Sequence, residues 1–129
     1  MKLKYDCVRD ILIYCESSIR FGENLSWQPL PLGKFCDALP EYSRDDIAYT
    51  LLLLEEAGYI EARISEADGG IYGILVYRLT YSGHEFIDVI KSDTVWKKIQ
   101  SAISSIGSVS LPILQDLGSH YLIEYLIGK

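Results

Sequence analysis

The stretch from Ser43 to Phe86 leaves this chain few choices of fold. It opens Ser43-Arg44-Asp45-Asp46, with Ser43 a good N-cap and Asp46 at the third helical position, where a carboxylate bonds back to the cap amide. Asp45 and Asp46 also suit the positive end of a helix dipole. Ile47, Leu51 and Leu54 recur at helical spacing and define a buried stripe. Gly58 follows where a left-handed exit residue belongs, a conformation glycine takes without strain. Ile60 to Ser65 alternates apolar and polar residues, and Ile74 to Leu79 is rich in strand formers. Between them, Glu66 to Gly73 carries the positive-φ residues of a hairpin loop. Leu79-Thr80-Tyr81-Ser82-Gly83-His84-Glu85-Phe86 then starts another helix, capped by Thr80 or Ser82.

Helix, glycine exit, hairpin and helix follow one another in the order of a winged helix-turn-helix, and the flanking sequence fits that order. From Tyr5 to about Phe21, Val8, Ile11, Leu12, Cys15 and Ile19 share one helical face. Trp27 to Leu32 is extended, because two prolines forbid regular helix. Gly33 to Leu39 makes a short helix with Phe35, Cys36 and Leu39 on its apolar side. Beyond the hairpin, Val95, Trp96, Ile99, Ala102, Ile103 and Ile106 form a further stripe, and Ser110 caps a last helix with Pro112 in its first turn. The predicted class is α+β, mostly α: a winged-helix domain over residues 1–91 and a two-helix C-terminal extension over 92–129. The last helix is apolar at Leu114, Leu117, Tyr121, Leu122 and Tyr125, and again at Ile113, Ile123, Leu126 and Ile127. That is more than one stripe, so the extension is expected both to close the core and to pair protomers. The homodimer seam would comprise Trp96, Ile103, Leu114, Leu117, Tyr121, Leu122 and Tyr125.

A chain of 129 residues, 49% of them hydrophobic, buries a real core and is not disordered. Its formal charge of −6 opposes non-specific attraction to nucleic acid or to an anionic membrane. Cys7, Cys15 and Cys36 are odd in number and lack Cys-x-x-Cys spacing, which reads as reduced, partly buried thiols rather than a zinc site. No apolar leader follows Met1 and no run reaches a membrane span, so a soluble, cytoplasmic protein is expected.

Catalytic and metal signals are faint. His84 and Asp88 stand four apart with Glu85 between them, a distorted echo of the zinc-protease pattern from which the second histidine is missing. A cysteine with His84 or His120 would need an oxyanion device that no glycine turn supplies. Asp68-Gly69-Gly70-Ile71-Tyr72-Gly73 lacks the lysine and hydroxyl residue of a phosphate loop and leads into a strand. The expectation is a non-enzymatic chain with no cofactor and no metal.

Charge bears on what the fold is used for. Residues 43–73 hold seven acids and two bases, the wrong sign for a surface that meets phosphates. The outer face of the Ser43 helix offers Arg44, Asp45, Tyr49, Leu52 and Glu56, and the hairpin tip adds Asp68 and Tyr72. A helix reading the major groove favours Arg, Lys, Asn or Gln, whereas an aromatic residue with an acidic rim suits a protein contact. A protein-binding module is therefore the first expectation. The competing one is a dimeric DNA-binding regulator, with its bases on the flanks at Lys2, Lys4 and Arg9 and at Lys91, Lys97 and Lys98.

Four separated motifs carry a family resemblance. Lys2-Leu3 with Asp6 and Val8-Arg9-Asp10-Ile11-Leu12 is the first, and Glu66 to Tyr72 the second. Leu79 to Phe86, running on to Asp93-Thr94-Val95-Trp96, is the third, and Ile106-Gly107-Ser108-Val109-Ser110-Leu111 the fourth. In this order they resemble an uncharacterised family of small bacterial and prophage proteins classed as a domain of unknown function. The resemblance implies a winged-helix fold and a phage context, and it brings no functional residues. Joined to the charge, it suggests a regulator or inhibitor that occupies a nucleic-acid-binding surface of a host complex.

Overall fold

The computed structural model describes residues 1–128. Its elements in chain order are α1 (Tyr5–Ser18), a 3-10 turn (Glu23–Leu25), β1 (Leu30–Pro31), α2 (Leu32–Ala38), α3 (Arg44–Glu56), β2 (Ile60–Ala67), β3 (Gly70–Leu79), α4 (Tyr81–Ile90), α5 (Asp93–Ile103) and α6 (Leu111–Ile127). The class is α+β and mostly helical, with one antiparallel sheet among the described residues, ordered β1-β3-β2. Residues 1–84 form one compact unit and the chain from Glu85 onward another, the division falling inside α4.

In the first unit, α1 turns Cys7, Val8, Ile11, Leu12 and Cys15 inward, and α3 answers with Ile47, Leu51 and Leu54. α1 stops at Ser18, short of the predicted Phe21, because Ile19 already has extended backbone. The chain reverses there: Gly22 N–H donates to the Ser26 carbonyl at 2.8 Å, and Phe21 bridges to Trp27. β1 covers two residues, opposite Val76 and Leu75 of β3, since Pro31 has no N–H with which to lengthen the ladder. α2 delivers the fully buried Phe35, which meets the Tyr14 ring edge-on at 5.2 Å.

Half of the expected capping box forms at α3. Ser43 Oγ accepts from the Asp46 N–H at 3.1 Å, but the Asp46 carboxylate turns to the Lys4 ammonium at 2.7 Å. A full opposite charge is a stronger partner than one amide dipole. Gly58 leaves the helix at φ 82, as its position required.

The hairpin is tighter than the expected loop over residues 66–73. Asp68 at φ 53 and Gly69 at φ 79 make a two-residue turn, and the strands run up to it on both sides. Both central residues with positive φ match the twist of the strands, which is why Asp-Gly suffices. Thr80, rather than Ser82, caps α4. Its hydroxyl donates to the Gly58 carbonyl at 2.5 Å and accepts from the Gly83 N–H at 3.1 Å, while its own N–H donates to the Tyr59 carbonyl.

In the second unit the buried hydrophobic residues are Phe86, Ile87 and Ile90 of α4, Val95, Trp96, Ile99 and Ile103 of α5, and Leu111 and Leu114 of α6. Ser92 caps α5 through the Val95 N–H at 3.4 Å. Ser110 is the N-cap of α6 without a side-chain bond, Pro112 taking one of the donors in that turn. Gly118 lies so close to α4 that a Cβ would stand 3.0 Å from the Val89 carbonyl oxygen.

Candidate functional site

A groove of about 440 Å³ runs between the outer face of α3 and the β2–β3 hairpin. Arg44, Asp45, Ala48, Tyr49 and Leu52 line one wall, because steps of three and four return to the same helix face. Glu66, Gly69, Gly70 and Ile71 line the other, with Met1 and Leu32 completing it. Tyr49 and Leu52 are half-buried, whereas Arg44, Asp45 and Glu66 are exposed.

Four of the seven residues expected here therefore come together: Arg44, Asp45, Tyr49 and Leu52. Glu56 continues their line one turn further and is exposed outside the groove lining. Asp68 sits in the turn itself, and Tyr72, 75% exposed, lies outside the lining that its neighbour Ile71 joins. Successive strand residues point to opposite faces, so the two cannot share a wall. Ile71 pairs with Glu66 across the ladder, a pairing that a loop over residues 66–73 does not contain.

Among the side chains of the lining, two acids, Asp45 and Glu66, stand against one base, Arg44, with Glu56 and Asp68 as further acids beside it. Asp46 is not part of this charge. The Lys4 hydrogen bond holds its carboxyl below the usual range, and the same contact raises the Lys4 ammonium. Lys4 is thereby engaged within the chain, as is Lys91, 3.5 Å from Asp88. The basic flanks are smaller than a count of residues suggests.

The residues expected at a dimer seam divide by burial. Trp96 at 5%, Ile103 at 8% and Leu114 at 0% exposure are core residues of the chain. The close approach of Gly118 to the Val89 carbonyl fixes which side of α6 faces inward. Leu117, Tyr121 and Leu122 are half-buried and Tyr125 is exposed. Ile113, Ile123, Leu126 and Ile127, at 50 to 78% exposure, make the apolar surface that the expected seam omitted.

Cys15 and His84 do line a common hollow of about 90 Å³. Burial pushes the Cys15 thiol up to about 12, which keeps it protonated and poorly nucleophilic. His120 Nε2 stands 3.0 Å from Glu124 Oε2 on its own helix. Among the described residues no group of three His, Cys, Asp or Glu side chains converges in a way that would hold a metal ion. Nor is any helix among them long and apolar enough to cross a membrane.

An uncharacterised protein of Haemophilus influenzae is 32% identical to this chain over 105 residues, covering 81% of this chain and 80% of that protein. Residues 2–110 match the profile of the family described as "Hypothetical protein (DUF2513)", a match that ends at the cap residue of α6. With that extent of agreement, the chain belongs to the DUF2513 family.

Proposed function

We propose that this chain is a winged-helix module of phage or prophage type that acts by binding a protein, as a regulator or inhibitor of a host complex. The order α1-β1-α2-α3-β2-β3, with β3 central in the sheet, supports the winged-helix reading, α3 serving as the second helix of the turn and β2–β3 as the wing. The observation that carries the protein-binding reading is the lining of the groove. Tyr49, Leu52 and Ile71 offer apolar surface where a duplex reader would place Arg, Lys, Asn or Gln, and carboxylate side chains outnumber basic side chains around them. A phosphate backbone would meet Asp45 and Glu66 on approach, whereas a basic protein surface would be attracted.

Capture from a native host lysate tests this reading. A protein retained by the wild-type chain, and released by Tyr49→Ala with Leu52→Asp, would bear it out. Retention that ignores both substitutions would refute it. The second reading, a dimeric DNA-binding regulator, draws on the same topology and on Arg44 at the start of α3. In either reading, α6 would pair with a second copy through its exposed apolar residues, Ile123 and Leu126 among them.

A further inference from the structure

Away from the α3 groove, a second unusual surface surrounds Trp27. Two shallow hollows, of about 300 and 250 Å³, share this indole as a wall. The first adds Arg63 and Tyr77, and the second adds Arg20, Phe21 and Arg78. Trp27 is 45% and Phe21 52% exposed, with ring centroids 4.9 Å apart. Rings of this size are ordinarily turned inward. Here a reversal holds them out, and its two successive non-glycine residues, Asn24 and Leu25, stand at φ 55 and 60. Backbone in that region is unfavourable for a branched side chain, and such strain concentrates where a chain has a task.

The charge around Trp27 has the opposite sign to that of the chain. Arg20, Arg63 and Arg78, three of its five arginines, line the hollows against a single acid, Glu61. Arg78 already engages Glu61 at 3.3 Å, and Arg20 and Arg63 make no ion pair among the described residues. At physiological salt the Debye length is about 8 Å, so distant acids are screened and the local guanidinium groups prevail.

We propose that the Trp27 hollows bind single-stranded nucleic acid, a base stacking on the exposed indole while the arginines meet phosphates. Every base has a π-face, so such a platform tolerates sequence, and flanking arginines track the backbone. A duplex keeps its base faces stacked inside and offers the indole nothing. An acidic peptide would satisfy the arginines and leave the ring faces in water. This site is separate from the groove on α3 and stands whether or not that groove binds a protein.

Fluorescence titration of the full chain with an oligothymidylate of about twelve nucleotides reads the site directly. Trp96 is 5% exposed, so quenching reports Trp27. The expected result is saturable quenching whose affinity falls with salt, at a log–log slope of about −0.7 for each phosphate engaged. By anisotropy, Trp27→Ala should weaken binding about tenfold or more. Trp27→Phe, which keeps a ring and guards against misfolding, should retain binding within a few-fold. Arg63→Gln should make the slope shallower by about 0.7, and Tyr49→Ala should leave quenching unchanged. The proposal is overturned by absence of quenching at about 50 mM salt, by equal binding of poly-glutamate, or by competition from thymidine monophosphate as strong as that of the oligomer. Full binding by a folded Trp27→Ala chain would overturn it too.

Discussion

Tyr42 donates its hydroxyl proton to Asp10 Oδ2 across 2.6 Å, tying the turn before α3 to α1. Burial first, and then this carboxylate, push the tyrosine above its ordinary pKa. The sign follows from linkage: the folded state holds the proton more tightly, so the contribution is present below about pH 10 and is lost as pH rises beyond it. Tyr42→Phe should cost about 1–2 kcal/mol in a denaturant titration at neutral pH, and the variant should lose the alkaline part of the wild-type stability profile. Asp46 has the opposite sign. Its carboxyl is held low by Lys4, so its contribution is present above about pH 3.9 and disappears as pH falls through the lower folded value. In a carbon-detected NMR titration, Lys4→Met should move the Asp46 midpoint upward toward that ordinary value. An unmoved midpoint would show that the ion pair does not hold it.

Elements of this chain end where backbone chemistry compels them to, and the sharpest case is the start of α4. A Cβ at Gly83 would overlap the Tyr59 carbonyl oxygen, which is backbone and has no rotamer to escape into. Gly83→Ala should therefore destabilise the protein by about 1–3 kcal/mol, seen as a lowered denaturation midpoint. The signals legible in the sequence were of this local kind: the Ser43 cap, the Gly58 exit, the stripe of α3, and the start of α6. What escaped were features set by long-range contact. Glu66 to Gly73 reads as eight loop residues until β3 is seen pairing up to Gly70, which turns Ile71 toward α3 and leaves Tyr72 outside. The Asp46 carboxylate reads as a cap until Lys4, forty-two residues away, is found beside it. α6 reads as apolar on more than one side, and the burial of Leu111 and Leu114 with the approach of Gly118 to Val89 reveals which side is core. Substituting the other side should have little effect on folding and a large one on association. Ile123→Lys with Leu126→Lys is expected to give a monomer in sedimentation at about the concentration where the wild-type chain gives twice its mass. A wild-type chain that is itself monomeric at tens of micromolar would remove the dimer.

Across the whole molecule, the distribution of charge matters more than its total of −6. Acids gather along α3 and the hairpin, whereas three arginines gather around Trp27 with one acid. The two proposals assign a different ligand to each of these faces, and the groove on α3 separates the protein-binding reading from the DNA-binding one. Titration of the wild-type chain against random duplex DNA at low salt reads that role most directly, because low salt magnifies any phosphate contact. A groove lined by Tyr49, Leu52, Asp45 and Glu66 should give no duplex shift up to tens of micromolar protein. Micromolar or tighter duplex binding that weakens steeply with salt and is lost in Arg44→Ala would contradict it, and would make the chain a DNA reader.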